Sequence, residues 1–305
     1  MSAMLQEVFY WVFNMSITAA ISGAAVLIVR MIRKIPRRLT VLLWLIPFFR
    51  MTVPLGLNSP YGLMSLVCRI TGRAVAVQSV LNIDLSMMNM TMAADSYFPV
   101  TYKTDALEQV FNAASAIWIT VLLAILLMLG TLYFTTLKEM KDAKPLRDNI
   151  CISEKIVSPA VYGIIKPKII LPASYAGKNI EFVLLHEKMH IRRGDNLWRV
   201  IAFLTAAVHW FNPLSWIFLK LFLADTELSC DECVLMKLDS RSRDYARSLL
   251  ESKESTDIFT SAFGGAKIRT RIENILSFKK MTWFSLVGFI IIIAVIFYVL
   301  LTNAG

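Results

Sequence analysis

The sequence predicts a mainly α-helical membrane protein with four transmembrane helices and a cytoplasmic α+β domain that contains a re-entrant or membrane-surface helical hairpin. Hydrophobic residues make up 56% of the 305 residues, and this surplus favours a lipid bilayer over a soluble globule. Four apolar runs are long enough to cross a hydrocarbon core as helices. The net charge of +10 comes from Lys and Arg clustered beside these runs, which indicates membrane topology rather than direct nucleic-acid binding.

Each predicted span carries at most one charged residue; the spans are residues 9–29, 39–57, 113–137 and 281–301. Pro47 and Pro54 lie inside the second run, so we expect a kinked helix there. Arg50 is the single charge in that run. It is expected to pair within the helix bundle or to extend to the outer surface.

Basic residues in short flanking segments mark the cytoplasmic side of a membrane. They follow the first and third runs and precede the fourth, so both chain termini and a loop over residues 58–112 are expected outside the cell. Residues 1–137 then form the membrane domain and residues 138–280 the cytoplasmic domain. Residues 281–305 form the last span and a short external tail.

An apolar stretch interrupts the cytoplasmic domain at residues 197–223. Within it, Asn212 and Pro213 are a strong turn signal. We interpret the stretch as two short helices in a hairpin. A fifth crossing of the bilayer would separate the histidines before the stretch from the acidic residues after it.

A metal-binding motif lies in residues 181–191, which contain no Gly or Pro and place apolar residues at helical spacing. Residues four apart share one helix face, so His186 and His190 can bind one metal while Glu187 reaches a metal-bound water. Zinc lowers the pKa of such a water from nearly 16 to about 7, and a carboxylate can then take its proton. The motif predicts one Zn²⁺ per chain with Glu187 as the catalytic base. The alternative is a solvated helix face on which two histidines recur by chance.

A catalytic zinc usually has three protein ligands and keeps a fourth position for water. Glu227 and Asp231 are four residues apart in an acidic segment past the hairpin, so they would share one helix face. We assign Glu227 as the third ligand and expect Asp231 to orient a zinc-bound histidine through its second ring nitrogen. An ordinary acidic first turn of a helix is the structural alternative.

Three other residues are possible metal ligands. His209 lies in the apolar hairpin beside Trp210, where a packed or interfacial histidine is favoured. Cys230 and Cys233 resemble half of a structural zinc site or a redox pair, but the sequence has no second close pair to complete a four-cysteine site. A reduced, buried pair is the preferred interpretation in the cytoplasm.

Together these features resemble one family, the transmembrane metallopeptidase antirepressors, typified by the bacterial beta-lactam and methicillin sensor-transducers of the BlaR and MecR type. The resemblance covers nearly the whole chain. Besides the first two spans, their basic linker and the His-Glu helix, it rests on segments 158–163, 166–172, 211–216 and 227–231. It implies a gluzincin-like zinc endopeptidase with Glu227 as the third ligand. It also implies a cytoplasmic protein substrate, which in the family is a DNA-bound transcriptional repressor.

The best-known members of this family carry an external penicillin-binding sensor domain after the last span, whereas this sequence ends at Gly305. A signal is therefore expected to enter through the loop 58–112, the spans, a separate sensor protein or a homo-oligomer. Residues 155–171 could supply an edge strand for an extended substrate or form a purely structural hairpin. Two other functions stay open: a general quality-control or processing peptidase of membrane proteins, and a non-catalytic receptor or transporter with a structural zinc site.

Overall fold

The computed structural model describes residues 2–32, 35–53, 58–63, 65–66, 105–156, 158–163, 165–175, 180–238, 241–251, 266–279 and 282–304. The helices in these ranges are α1 (Ser2–Arg30), α2 (Arg37–Leu43), α3 (Leu45–Thr52), α4 (Asp105–Lys141), α5 (Glu181–Arg193), α6 (Asp195–Val208), α7 (Pro213–Leu235), α8 (Ser242–Glu251), α9 (Ile268–Ser277) and α10 (Trp283–Leu301). The strands are β1 (Asn58–Ser59), β2 (Lys144–Arg147), β3 (Ile150–Ser153), β4 (Ala160–Tyr162), β5 (Lys168–Pro172) and β6 (Asn303–Ala304). Most of the predicted external loop 58–112 lies outside the described residues.

Three helices in the described part of the chain are long and apolar enough to cross a membrane: α1, α4 and α10. They correspond to the first, third and fourth predicted spans. The predicted domain boundary after residue 137 falls inside α4, which continues to Lys141. The mainly helical membrane architecture is therefore confirmed, with three candidate spans rather than four.

The second predicted span is not one long helix. It consists of α2 and α3, which are interrupted at Trp44. Pro47 has no N–H to donate to the carbonyl of Leu43, and this missing hydrogen bond accounts for the interruption. Arg50 of α3 is buried and donates hydrogen bonds to the carbonyls of Leu300 and Thr302 at the end of α10. It therefore pairs within the bundle, the first of its two predicted environments.

The predicted hairpin is formed by α6 and α7, with the turn between Val208 and Pro213. Asn212 ends this turn because its side-chain oxygen accepts a hydrogen bond from the N–H of Leu214, and Pro213 occupies the first helical position. One difference from the prediction is the length of α7. It is a single helix that contains both the second arm of the hairpin and the acidic segment with Glu227 and Asp231.

The hairpin runs along α1 inside the bundle of long helices. Its tip is fixed by Asn212, whose side-chain amide donates to Ser16 Oγ at 2.8 Å, and the lower part of α7 contacts Arg30 through Asp225. The part of α1 between these contacts is about 21 Å long at a helical rise of 1.5 Å per residue. Whether this hairpin is re-entrant or lies on the membrane surface stays a prediction.

A four-stranded sheet supports the metal-binding helix. Its order is β2-β3-β5-β4; β3 and β5 are parallel and the other two pairings are antiparallel. The sheet buries Ile150, Ile169 and Leu171 against apolar residues of α5, including Val183 and Leu184. This contact fixes α5 on one side, and α7 packs on another.

Candidate metal centre

Two histidines of α5 face the same point. The helix ends at Gly194, whose φ of 67° is the left-handed conformation that glycine adopts easily, and α6 begins at the next residue. His186 and His190 are both buried, and their Nε2 atoms lie 3.1 Å apart. As expected for residues four apart, both imidazoles lie on one helix face.

Glu227 of α7 places one carboxylate oxygen beside each of the two imidazoles. Its Oε2 lies 3.5 Å from His186 Nε2, and its Oε1 lies 3.5 Å from His190 Nε2. Ligands that bind zinc at about 2.0–2.1 Å in a tetrahedron are separated from one another by about 3.3 Å. The structure therefore brings the three predicted ligands to the spacing that one tetrahedral metal ion requires. Two imidazoles and a carboxylate are also a donor set typical of zinc.

The second ring nitrogen of His190 is held by a residue that the sequence analysis missed. Asp195, buried at the start of α6, places its Oδ2 2.6 Å from His190 Nδ1. A carboxylate at Nδ1 keeps the proton there and leaves the lone pair of Nε2 for a metal. The sequence contains one local sign of this role, because Asp195 directly follows Gly194, the residue at which α5 ends.

The second ring nitrogen of His186 meets a small network. Tyr245 of α8 places its hydroxyl 2.9 Å from His186 Nδ1, and that hydroxyl donates to Asp231 Oδ1 at 2.6 Å. Asp231 itself lies 3.3 Å from the same nitrogen. The structure thus places Asp231 beside a predicted ligand, as expected, but the shortest contact belongs to Tyr245, which was not predicted.

Two arginines surround the acidic residues of α7. Arg271 of α9 donates to both oxygens of Asp231, at 2.8 Å and 2.7 Å, and lies 3.7 Å from Glu227 Oε2. Arg199 of α6 donates to Glu227 Oε1 at 2.6 Å. Burial alone would raise the pKa of Asp231, but the Arg271 guanidinium and His186 together outweigh burial and lower the pKa to about 2. Both arginines therefore favour the charged form of the carboxylates.

Glu187 is buried and follows His186 on α5, so its side chain lies about 100° further around the helix axis. Burial raises the pKa of Tyr175, and the negative charge of Glu187 raises it further. The carboxylate of Glu187 is thus an electrostatic neighbour of Tyr175, which lies in the segment after β5. The role of Glu187 as a base beside a metal-bound water stays a prediction.

Cys230 is a competing ligand. Its thiol forms a group with His186 and His190 in which the potential ligand atoms lie within 4.8 Å of one another. However, Cys230 Sγ lies 3.7 Å from His186 Nδ1, the nitrogen already occupied by Tyr245 and Asp231. Binding a metal at this position would break both contacts, so the Glu227 arrangement fits better.

Two further candidates, Cys233 and His209, are not part of the group formed by Cys230 and the two histidines. Cys230 and Cys233 are both free thiols, and only Cys230 is fully buried. His209 is fully buried in the turn of the hairpin, where its Nε2 donates to the carbonyl of Met51 at 2.9 Å. This contact agrees with the packed histidine favoured by the sequence.

Comparison with known proteins places these features in one family. The regulatory protein BlaR1 of Bacillus licheniformis is 28% identical over 216 residues, which cover 60% of this chain and 35% of that protein. The methicillin resistance mecR1 protein of Staphylococcus aureus is 31% identical over 107 residues, which cover 33% of this chain and 18% of that protein. The chain thus matches about a third or less of the length of either relative. A sequence profile of the BlaR1 peptidase M56 family matches residues 10–275, most of the chain, and the protein therefore belongs to this family.

Proposed function

We propose that this protein is a membrane-embedded, zinc-dependent endopeptidase that acts in signal transduction. The observation that carries the proposal is the spacing of 3.1–3.5 Å among His186 Nε2, His190 Nε2 and the carboxylate of Glu227. Membership of a peptidase family supports it. Three protein ligands leave the fourth position of a tetrahedral ion for water, which is typical of catalytic rather than structural zinc.

The surrounding residues can divide the work of peptide hydrolysis. Bound zinc would supply a Lewis acid and lower the pKa of its water. Glu187 would accept the proton of a water bound there and would pass it on to the leaving amine. Asp195 and the Tyr245–Asp231 pair keep both Nε2 atoms directed at the metal position.

We further propose that the site faces the cytoplasm and cleaves a cytoplasmic protein. The leading candidate for this substrate is a DNA-binding transcriptional repressor. The support is positional. The metal centre lies at the end of the bundle where α1 finishes in Arg30, and the basic linker with Arg37 and Arg38 begins there. Basic flanks favour the cytoplasmic side, and both termini would then be external.

The predicted edge strand corresponds to β4, which lies at one edge of the sheet and packs beside α5. Asn196 of α6 donates to the carbonyls of Val161 and Gly163 at 2.9 Å and 3.1 Å. These two acceptors are already satisfied within the chain. We therefore favour the structural interpretation for this stretch of β4 over backbone pairing with a substrate.

One substitution tests the catalytic proposal. Glu187→Gln should leave zinc binding unchanged but lower the cleavage rate by about 10²–10⁴-fold, the usual contribution of a general base. His186→Ala should lose both zinc binding and cleavage. Proteomic comparison of cells that carry wild-type or Glu187→Gln protein should show one defined protein that escapes cleavage. A general processing peptidase would instead change many membrane proteins, and normal processing by the Glu187→Gln protein would refute the peptidase proposal.

A specific observation also favours a non-catalytic zinc site, namely the position of Cys230 in the group with both histidines. If Cys230 bound the metal together with Glu227, the coordination sphere would be closed. X-ray absorption on the zinc-loaded protein separates the two possibilities. A sulfur ligand at about 2.3 Å would support the structural site, and nitrogen and oxygen ligands alone would support the peptidase.

A further inference from the structure

Helix α7 has two acidic faces that serve different parts of the molecule. Glu227 and Asp231 face the metal centre. Asp225 and Glu232 are seven residues apart and so share another face, whose centre lies about 130° around the helix axis from the centre of the first at 100° per residue. This second face contacts Arg30 at the end of α1 and Arg37 at the start of α2, which flank the linker between these helices.

Asp225 binds the last residue of α1 and the residue that follows α2. Its side chain is fully buried, with 0% exposed, and it accepts hydrogen bonds from Arg30 Nε at 2.7 Å and Arg30 Nη2 at 3.0 Å. Trp44, at the interruption between α2 and α3, donates its indole N–H to the same carboxylate at 2.9 Å. A buried carboxylate that loses such partners is left as an uncompensated charge, so breaking this contact strongly destabilises the protein.

Glu232 holds the start of α2. Its two carboxylate oxygens accept hydrogen bonds from the backbone N–H groups of Arg37 and Arg38, at 2.9 Å and 3.1 Å. The residue before the helix, Pro36, forms no side-chain cap. The cap that the first turn of α2 needs is therefore supplied by another helix, and the negative charge suits the positive end of the α2 dipole.

We propose that Asp225 and Glu232 are positioning residues through which the α1–α2 linker sets the position of Glu227 and thereby the state of the metal centre. The proposal rests on the proposed peptidase function. Glu227 lies only two residues after Asp225 on one continuous helix, so a shift of the linker moves both carboxylates together. Misplacement of a catalytic group by about 1 Å can cost about 10²-fold in rate. A movement of α1 relative to α2 and α3 would in this way reach the metal site.

The test uses the full-length chain in detergent or nanodiscs, in a Glu187→Gln background that prevents any self-cleavage. Asp225→Asn removes the charge of the anchor and leaves His186, His190 and Glu227 intact. Its zinc affinity, measured by competition with a chromophoric chelator, should fall about 10- to 100-fold, as for other residues that orient metal ligands. The visible absorption of the Co²⁺-substituted protein should change at the same time, because the geometry of the ligands has changed.

Asp142→Asn is the matched control, since Asp142 is an exposed carboxylate paired with Lys155 on the surface. It should leave affinity and spectrum unchanged. The swapped pair Arg30→Asp with Asp225→Arg should recover part of the lost affinity. If Asp225→Asn fails to fold, Glu232→Gln provides the same readout, because it keeps the buried Asp225 pair and weakens only the cap of α2.

Wild-type zinc affinity and an unchanged Co²⁺ spectrum in the folded anchor variants would overturn the coupling. Metal binding is measured without cleavage, so this result is independent of the peptidase proposal. In the catalytically competent protein, the anchor variants should lower kcat more than they raise KM. The reverse pattern, a raised KM at unchanged kcat, would also overturn the coupling.

Discussion

The contact between Asp195 and His190 provides a quantitative test of the metal site. Asp195 Oδ2 lies 2.6 Å from His190 Nδ1, and both side chains are only 5% exposed, so water cannot replace the carboxylate. Asp195→Ala removes the hydrogen bond and the charge. Loss of a residue that orients a zinc-bound histidine costs about 10- to 100-fold in metal affinity, or about 1.4–2.8 kcal/mol. We expect the upper end of this range for Asp195→Ala.

Asp195→Asn separates the two contributions. An asparagine can still accept the hydrogen bond from Nδ1, so only the charge is lost, and a decrease of about tenfold is expected. The assay is competition for Zn²⁺ with a chromophoric chelator at neutral pH. Asp244→Asn, at an exposed position in α8, serves as the control. If Asp195→Ala binds zinc as tightly as the wild type, His190 is not a ligand through Nε2 and the proposed site is incorrect.

Three further outcomes are expected. Tyr245→Phe should weaken zinc binding by about tenfold, less than Asp195→Ala, because Asp231 remains 3.3 Å from His186 Nδ1; an unchanged affinity would exclude Tyr245 from the network. Removal of zinc by a chelator should lower the unfolding temperature, since a ligand at 1,000 times its Kd stabilises by about 4 kcal/mol, and a His186→Ala protein should show no such shift. The pKa of Asp231, about 2, lies below the unfolded value, so its stabilisation of the metal-free protein is present above about pH 4 and is lost as the pH falls through the folded pKa. Unfolding of wild-type and Asp231→Asn proteins should therefore converge towards pH 2, and a difference that grows on acidification would contradict this assignment.

The sequence predicted the parts of the site that repeat at helical spacing. His186 and His190 share a short motif, and Glu227 and Asp231 share a second helix face. Residue spacing cannot show which distant elements meet these faces. Tyr245 comes 59 positions after His186 and reaches the site only because α8 packs on α5. A long-range contact of this kind depends on tertiary packing, which has no local pattern.

The difference between what a local sequence pattern shows and what it cannot show also explains which predicted membrane spans form long helices. Uncharged runs near residues 9–29, 113–137 and 281–301 predicted long helices because length and hydropathy are local properties. The second run has a similar composition, but Pro47 removes one backbone hydrogen bond and the run divides at Trp44. Composition indicated burial correctly in that segment, and backbone chemistry decided how long each helix is.

Helix α7 runs without interruption from the bundle of long helices to the candidate metal centre. Its first half packs Phe218 and Leu219, both fully buried, against α1, α2 and α3. Its second half carries Glu227 to the metal centre. A helix packed along its whole length cannot shift at one end without straining the other, because close-packed interiors tolerate few voids. The bundle of long helices is therefore part of what holds Glu227 beside His186 and His190, and a movement among those helices has a direct mechanical route to the proposed metal site.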